Sequence, residues 1–267
     1  MPLSPAQRHQ RRVLAEQQAA GRAAGQPMAG ASAYEQQMAA LHGDYLRLKG
    51  IQSNEGKATL KRELVPAYLP YISGVLAADS GAQDDVVTTL MVWAIDAGLY
   101  ADALPIAAYV LKHGLTMSDR FSRTPACIVA EEIAEAATGP QRANTPFGQL
   151  DVLLTTEAIT ADQDMPDEVR AKLQVAIARE RLLQLDRDAP DRAIVSDAVA
   201  RFERALQLHP QCGARKECER ANSLLKKITG TAADAFPSTA AEPGDKPGPA
   251  TPPALSLIHI SEPTRPR

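Results

Sequence analysis

Carboxylates are the side chains here with the best claim to chemistry. Asp84-Asp85 form one cluster, and Asp162, Asp164, Asp167 and Glu168 form a second. Metal-assisted phosphodiester cleavage requires two or three acids converging on divalent ions. Neighbouring residues on a helix diverge by about 100°, so Asp84 and Asp85 cannot both face one ion unaided. Both clusters stand at expected helix starts, where acids complement the positive end of the helix dipole in any case. Helix-start acids and a capped turn are therefore the expected roles, and no catalytic residue is assigned.

Other chemistries have less support. Pro166-Asp167-Glu168 resembles part of the PD-(D/E)xK nuclease pattern, but there the second acid and a Lys lie two residues apart on a strand. Here Arg170 follows Glu168 on an expected helix, and the match fails. No GxxxxGK[ST] phosphate loop is present, so no nucleotide motor is expected. His9, His42, His113 and His209 are solitary, and His113 beside Gly114 reads as a helix C-terminal residue. Cys127, Cys212 and Cys218 are odd in number and lack CxxC spacing, as expected of idle thiols in a reducing compartment. Neither a metal nor a cofactor is expected.

Cations make a better case. Arg8, Arg11 and Arg12 fall within about one helical turn, with Gln7 and Gln10 among them and Arg22 beyond. Arg215, Lys216, Arg220, Lys226 and Lys227 form a second basic segment. Such groups can neutralise phosphates, while Gln can reach base edges. The net charge of −3 conceals segregation. Residues 1–63 hold nine Lys/Arg against five Asp/Glu, residues 64–168 four against fifteen, and residues 169–230 thirteen against eight. Basic ends around an acidic middle can bind a polyanion without coating the whole surface. Solvated helix faces would give the same counts.

The supporting elements read as helices. Apolar residues make up 45% of the chain and aromatics only 4%, with no alternating β-branched run and no Asn-Gly or Asp-Gly turn. No apolar stretch approaches the ~20 residues of a membrane span, and the N-terminus lacks the apolar core of a signal peptide. A cytoplasmic, all-α chain of antiparallel helical hairpins is expected, with disordered termini. Ser4-Pro5 starts a basic helix with too few large apolar groups to pack firmly, and Gly21–Ser32 reads as a linker. These form a unit over 1–32.

Tyr34, Met38, Leu41, Tyr45 and Leu48 recur at spacings of 4, 3, 4 and 3 within a helical unit over 33–65. That seam either docks on the chain's own core or pairs with another subunit. Residues 66–140 read as an acidic helical core centred on the run around Trp93, with helices ending at Gly114 and at Gly139-Pro140. The polar loop Thr116–Pro125 carries Arg120 and Arg123. Residues 141–230 are a C-terminal helical region. In it Ala198, Phe202, Ala205 and Pro210 match the second helix of a tetratricopeptide repeat, in a single hairpin rather than a solenoid. Residues 231–254 read as disordered. Ser256–Arg265, SLIHISEPTR, resembles a translated sequencing-library adapter, so 255–267 are expected to be foreign to the natural gene.

Three blocks carry a family resemblance: SPAQRHQRR (Ser4–Arg12), the stretch Leu64–Pro125 with its single Trp93, and MPDEVRAKL (Met165–Leu173). Together they resemble the small terminase subunit of the peduovirus-type tailed phages, also called the terminase endonuclease subunit, across residues 1–230. The resemblance implies a protein of the host cytoplasm that binds viral double-stranded DNA at a cohesive-end site and forms a homo-oligomer. It also implies a large terminase subunit as partner, supplying the ATPase and the cutting carboxylates. On that reading the two basic segments contact DNA and the 34–48 seam joins subunits. A nuclease in its own right and a helical protein-binding adaptor are the competing classes. No helix-turn-helix is evident.

Overall fold

The computed structural model describes residues 3–117, 122–186 and 188–234. Arg120, most of the 231–254 segment and all of 255–267 lie outside the described residues. Among the described residues there are eleven α-helices, one 3-10 turn at Val65–Ala67 and no strand. No helix is long and apolar enough to cross a membrane. The helices are α1 (Pro5–Ala20), α2 (Ser32–Lys49), α3 (Asn54–Leu64), α4 (Leu69–Ala78), α5 (Asp85–Asp96) and α6 (Tyr100–His113). They continue with α7 (Pro125–Arg142), α8 (Leu150–Ile159), α9 (Asp167–Leu183), α10 (Arg192–Leu208) and α11 (Arg215–Asp234). The residues 231–234 expected to be disordered thus continue α11.

The larger core centres on α5, whose residues Val86 to Ile95 are all buried. α6 runs back against it from the turn at Gly98 and stops at Gly114, which takes up a left-handed conformation. α3 closes the C-terminal end of α5, where its carbonyls lack helical partners. The Arg62 guanidinium donates to Ala97 O (2.8 and 3.1 Å), and Lys61 pairs with Asp96. α9 then serves two cores at once. Val169, Leu173, Ala176 and Ile177 belong to the larger core, while Ala171, Val175 and Ala178 face a smaller one. In the smaller core Ala198, Phe202 and Ala205 of α10 are fully buried, as the single repeat-like hairpin requires. α11 completes it with Cys218 and Ala221.

Two expectations need correction. α1 packs firmly on α4, through small side chains instead of large ones. Ala15 and Ala19 are fully buried, and a Cβ added to Gly74 would lie 2.2 Å from Arg12 O. Backbones this close gain dispersion contacts without large apolar groups, which a count of Leu and Val cannot register. The Gly139-Pro140 stop also fails: α7 runs on to Arg142. Proline removes one N–H and Gly weakens the turn, but Ala137, Thr138 and Gln141 are buried, and that packing holds the helix together.

The 21–32 linker is fastened in place. Gly25 N–H donates to Gly81 O (2.9 Å), Met28 N–H to Gln83 O (2.9 Å) and Gln83 N–H to Gln26 O (2.9 Å), with Met28 fully buried. Gln18 of α1 accepts from Ala33 N–H (2.9 Å), satisfying a donor at the start of α2.

The α1–α4 contact generates a direct test. Gly74→Ala should lower unfolding free energy by about 1–3 kcal/mol, because the methyl meets backbone that cannot swing aside. Urea melts would give that number, and amide exchange should quicken first across α1. Wild-type stability in Gly74→Ala would mean the two helices are not in close contact.

Candidate nucleic-acid interface

The acids come first, because their geometry decides what they can do. Asp84 caps α5: its Oδ1 accepts from Val86 N–H (2.9 Å) and Val87 N–H (3.0 Å), while Oδ2 accepts from the Tyr71 hydroxyl. It is fully buried, and burial raises its carboxyl to about 6. Burial, followed by the Asp84 charge, pushes the Tyr71 hydroxyl far above its ordinary value. Asp85 takes a weak contact from Gln83 Nε2 at 3.4 Å and does not join Asp84. Asp162, Asp164, Asp167 and Glu168 are exposed around the turn into α9. Among the described residues no three His, Cys, Asp or Glu side chains gather closely enough to hold a metal ion.

The structure sorts the cations by what already occupies them. On α9, Arg170 donates to Gln163 O (2.7 Å) and Lys172 reaches Glu131 (3.5 Å) and Glu135 (3.1 Å). Arg179 forks onto Glu217 of α11 (2.7 and 2.9 Å), and Arg181 meets Asp197 (2.7 Å). On α10, Arg201 holds Asp197 and Glu157 (2.8 Å each). Lys172, Arg179, Arg181 and Arg201 are thus neutralised internally, while Arg192 and Arg204 of α10 stay exposed.

α11 differs. Arg215, Lys216, Arg220, Lys226 and Lys227 are all exposed. Lys216, Arg220 and Lys227, with Ser223 between them, follow helical spacing down one side. Ala214, Cys218 and Ala221 bury the opposite side. Arg215, Lys216, Arg220 and Lys226 make no ion pair among the described residues. Glu217 is taken up by Arg179, so of the segment's acids only Glu219 stays exposed. From Arg215 to Lys227 the row spans about 18 Å.

The α1 cations are less uniform. Arg8 is exposed with its Nε donating to Leu3 O (3.1 Å), and Arg12 pairs with Glu16 (3.3 Å). Arg11 is half-buried near Tyr68. Arg8 and Arg12 edge a shallow groove with Pro66, Leu69 and Pro70. Arg22, placed with this group from sequence, instead donates to Pro27 O (2.9 Å) and Ala29 O (3.2 Å) and ties down the linker. Nothing in its spacing signalled that role.

The 34–48 seam is the inward face of α2. Tyr34, Leu41 and Leu48 are buried in the chain's own core, and Met38 is packed against it. Tyr45 lies at the edge, 41% exposed. Of the two readings open from sequence, docking on the own core describes the first four.

An all-helical chain with separate basic helices around an acidic core belongs, on comparison with known proteins, to the phage small terminase subunits. The profile of that family matches residues 38–168. The chain is also 46% identical over 225 residues to the protein of Escherichia phage P2 named "Terminase, endonuclease subunit", spanning 84% of this chain and 86% of that one. No solved structure matches it. The profile match leaves out α1 and α9 to α11 almost entirely, so it bears on the acidic core and not on the basic helices.

The Asp84 geometry separates a cap from a metal ligand. Asp84→Asn keeps both the cap and a partner for Tyr71, and should stay within about 1 kcal/mol of the parent at neutral pH. Asp84→Ala removes the cap and orphans a buried hydroxyl, costing about 2–4 kcal/mol. A carboxyl raised in the folded state stabilises fully below its unfolded value of 3.8 and loses that contribution as pH rises through about 6. Parent stability relative to Asp84→Asn should therefore fall over that window in thermal melts. A rise would show that Asp84 is not held as described.

Proposed function

We propose that this chain is the DNA-recognition subunit of a phage terminase. It binds viral double-stranded DNA at the cohesive-end site, self-associates, and presents the DNA to a large subunit carrying ATPase and nuclease, all in the host cytoplasm. One observation carries the DNA-binding part: α11 projects five cations outward, four of them without an ion-pair partner, whereas Lys172, Arg179, Arg181 and Arg201 of α9 and α10 are held by acids. Exposed cations in a row release counterions when they meet phosphate, and that release supplies affinity. The acidic helices α5, α7 and α8 repel DNA and favour an approach toward the basic helices. Arg8, Arg11 and Arg12 of α1 add a second contact.

The competing reading, cleavage by this chain itself, is suggested by the name of the phage P2 relative. The acids give it little support, since Asp84 is engaged in capping and the 162–168 group is dispersed on an exposed turn.

Two assays separate the readings. Replacing Arg215, Lys216, Arg220, Lys226 and Lys227 by Ala should weaken binding to cohesive-end DNA and lower the salt slope by roughly 0.9 per lost phosphate contact. Substituting Arg8, Arg11 and Arg12 should act in the same sense. For the α11 variant the thermal midpoint should barely move, because its five positions are exposed and such substitutions usually stay within about 0.5 kcal/mol. Unchanged slopes in both variants would overturn the interface. Incubated with Mg²⁺ and that DNA, the purified chain should leave it intact unless the large subunit is added. Cutting by the chain alone, lost in a folded Asp164→Ala variant, would favour the enzyme.

A further inference from the structure

One flank of α2 is left uncovered, with a large apolar side chain among its polar ones. Glu35, Ala39, His42, Leu46 and Lys49 follow spacings of 4, 3, 4 and 3, and all five are exposed. Each lies one residue on from a member of the 34–48 seam, so the stripe sits about 100° round the helix from that inward side. Leu46 is 56% exposed, and it and Tyr45 are the exposed large hydrophobics among the described residues. Gly43 adjoins the same stripe, and a Cβ added there would meet nothing within 4 Å. Lys49 makes no ion pair among the described residues, and Glu35 uses Oε1 to accept from Gly30 N–H (2.9 Å). Arg47, off the stripe, is taken by Asp44.

We infer that a second copy of this chain covers this face, its α2 lying antiparallel across a two-fold axis near His42. The stripe complements itself in that arrangement and in no parallel one. Reversal brings Glu35 of each copy to Lys49 of the other, and sets Leu46 against Ala39, large against small. Ala39 and Gly43 let the two backbones approach closely. The helix dipoles then run in opposite directions, and each acid lies near its own helix's positive end. A parallel copy would stack Glu35 on Glu35 and Lys49 on Lys49. A two-fold contact needs one patch able to meet itself, and this one can. DNA is a poor occupant, since Glu35 repels phosphate and Leu46 offers it nothing.

The inference rests on the proposed self-association and specifies its surface, a flank of α2 about 100° round the helix from the 34–48 seam. It is tested on the full chain by light scattering, with circular dichroism to confirm folding. Leu46→Lys should reduce the mass at least about twofold while leaving the melt unchanged, since the side chain is largely exposed. Glu35→Lys and Lys49→Glu should each weaken association about tenfold, and an equimolar mixture of the two should recover it by pairing opposite charges. Orientation is read by oxidation: Ala39→Cys mixed with Leu46→Cys should form a disulfide-linked dimer more readily than either variant alone. A parent that is monomeric would defeat both self-association and this face. An oligomeric parent whose mass survives Leu46→Lys, or a mixture that fails to recover, would leave self-association standing and overturn this surface.

Discussion

The structure depends on two adjacent side chains of α9 that reach in different directions. Glu180 is fully buried and accepts four times: from Gln141 Nε2 (2.9 Å), Phe147 N–H (2.8 Å), Gly148 N–H (2.6 Å) and Gln184 Nε2 (2.7 Å). A buried carboxyl is tolerable only when its acceptor sites are filled this completely. Those bonds pin the segment between α7 and α8 onto α9. Next to it, Arg179 forks onto Glu217 and sets α11 against the same helix. One helix thus fixes the acidic core on one side and the candidate DNA contact on the other. Small residues on both sides, Ala171, Ala176 and Ala178 among them, let it fit between two cores.

Electrostatics then determine what each part can meet. Pairing removes Lys172, Arg179, Arg181 and Arg201 from the pool of available cations. Charge counts along the chain overstate the positive surface of α9 and α10, and they understate how far it concentrates on α11. Neutralising Glu217 from behind sharpens that contrast. A row of outward cations on a helix held by its other face is a rigid way to address a regular polyanion, because little ordering remains to be done on binding.

How much of this was legible in the residues follows from what each signal measures. Caps and periodicity are local, so Ser4-Pro5, Asp84 and Gly114 mark helix boundaries that the structure keeps. Close packing of small residues is not local. The α1–α4 contact needs Gly74 opposite Ala15, residues far apart in sequence with no apolar signal between them. Arg22 and Glu180 were equally silent, since the backbone groups of Pro27, Ala29, Phe147 and Gly148 that they meet are brought near by folding. The 34–48 seam was visible, but periodicity cannot say whether a stripe faces its own core or another chain. Asp84 was legible as a cap because a helix start imposes that role on Asp regardless of function, whereas the capped turn expected of the 162–168 acids is not formed: α9 starts after Pro166 without a side-chain cap.

The central claim is that α11, held by α9, is where this terminase subunit touches DNA. Photo-crosslinking to cohesive-end DNA followed by peptide mapping tests it without any substitution. The account places the main adducts between Arg215 and Lys227, with a second group in the first turns of α1. Adducts confined to the helices between Leu69 and Ile159, or none on α11, would contradict it.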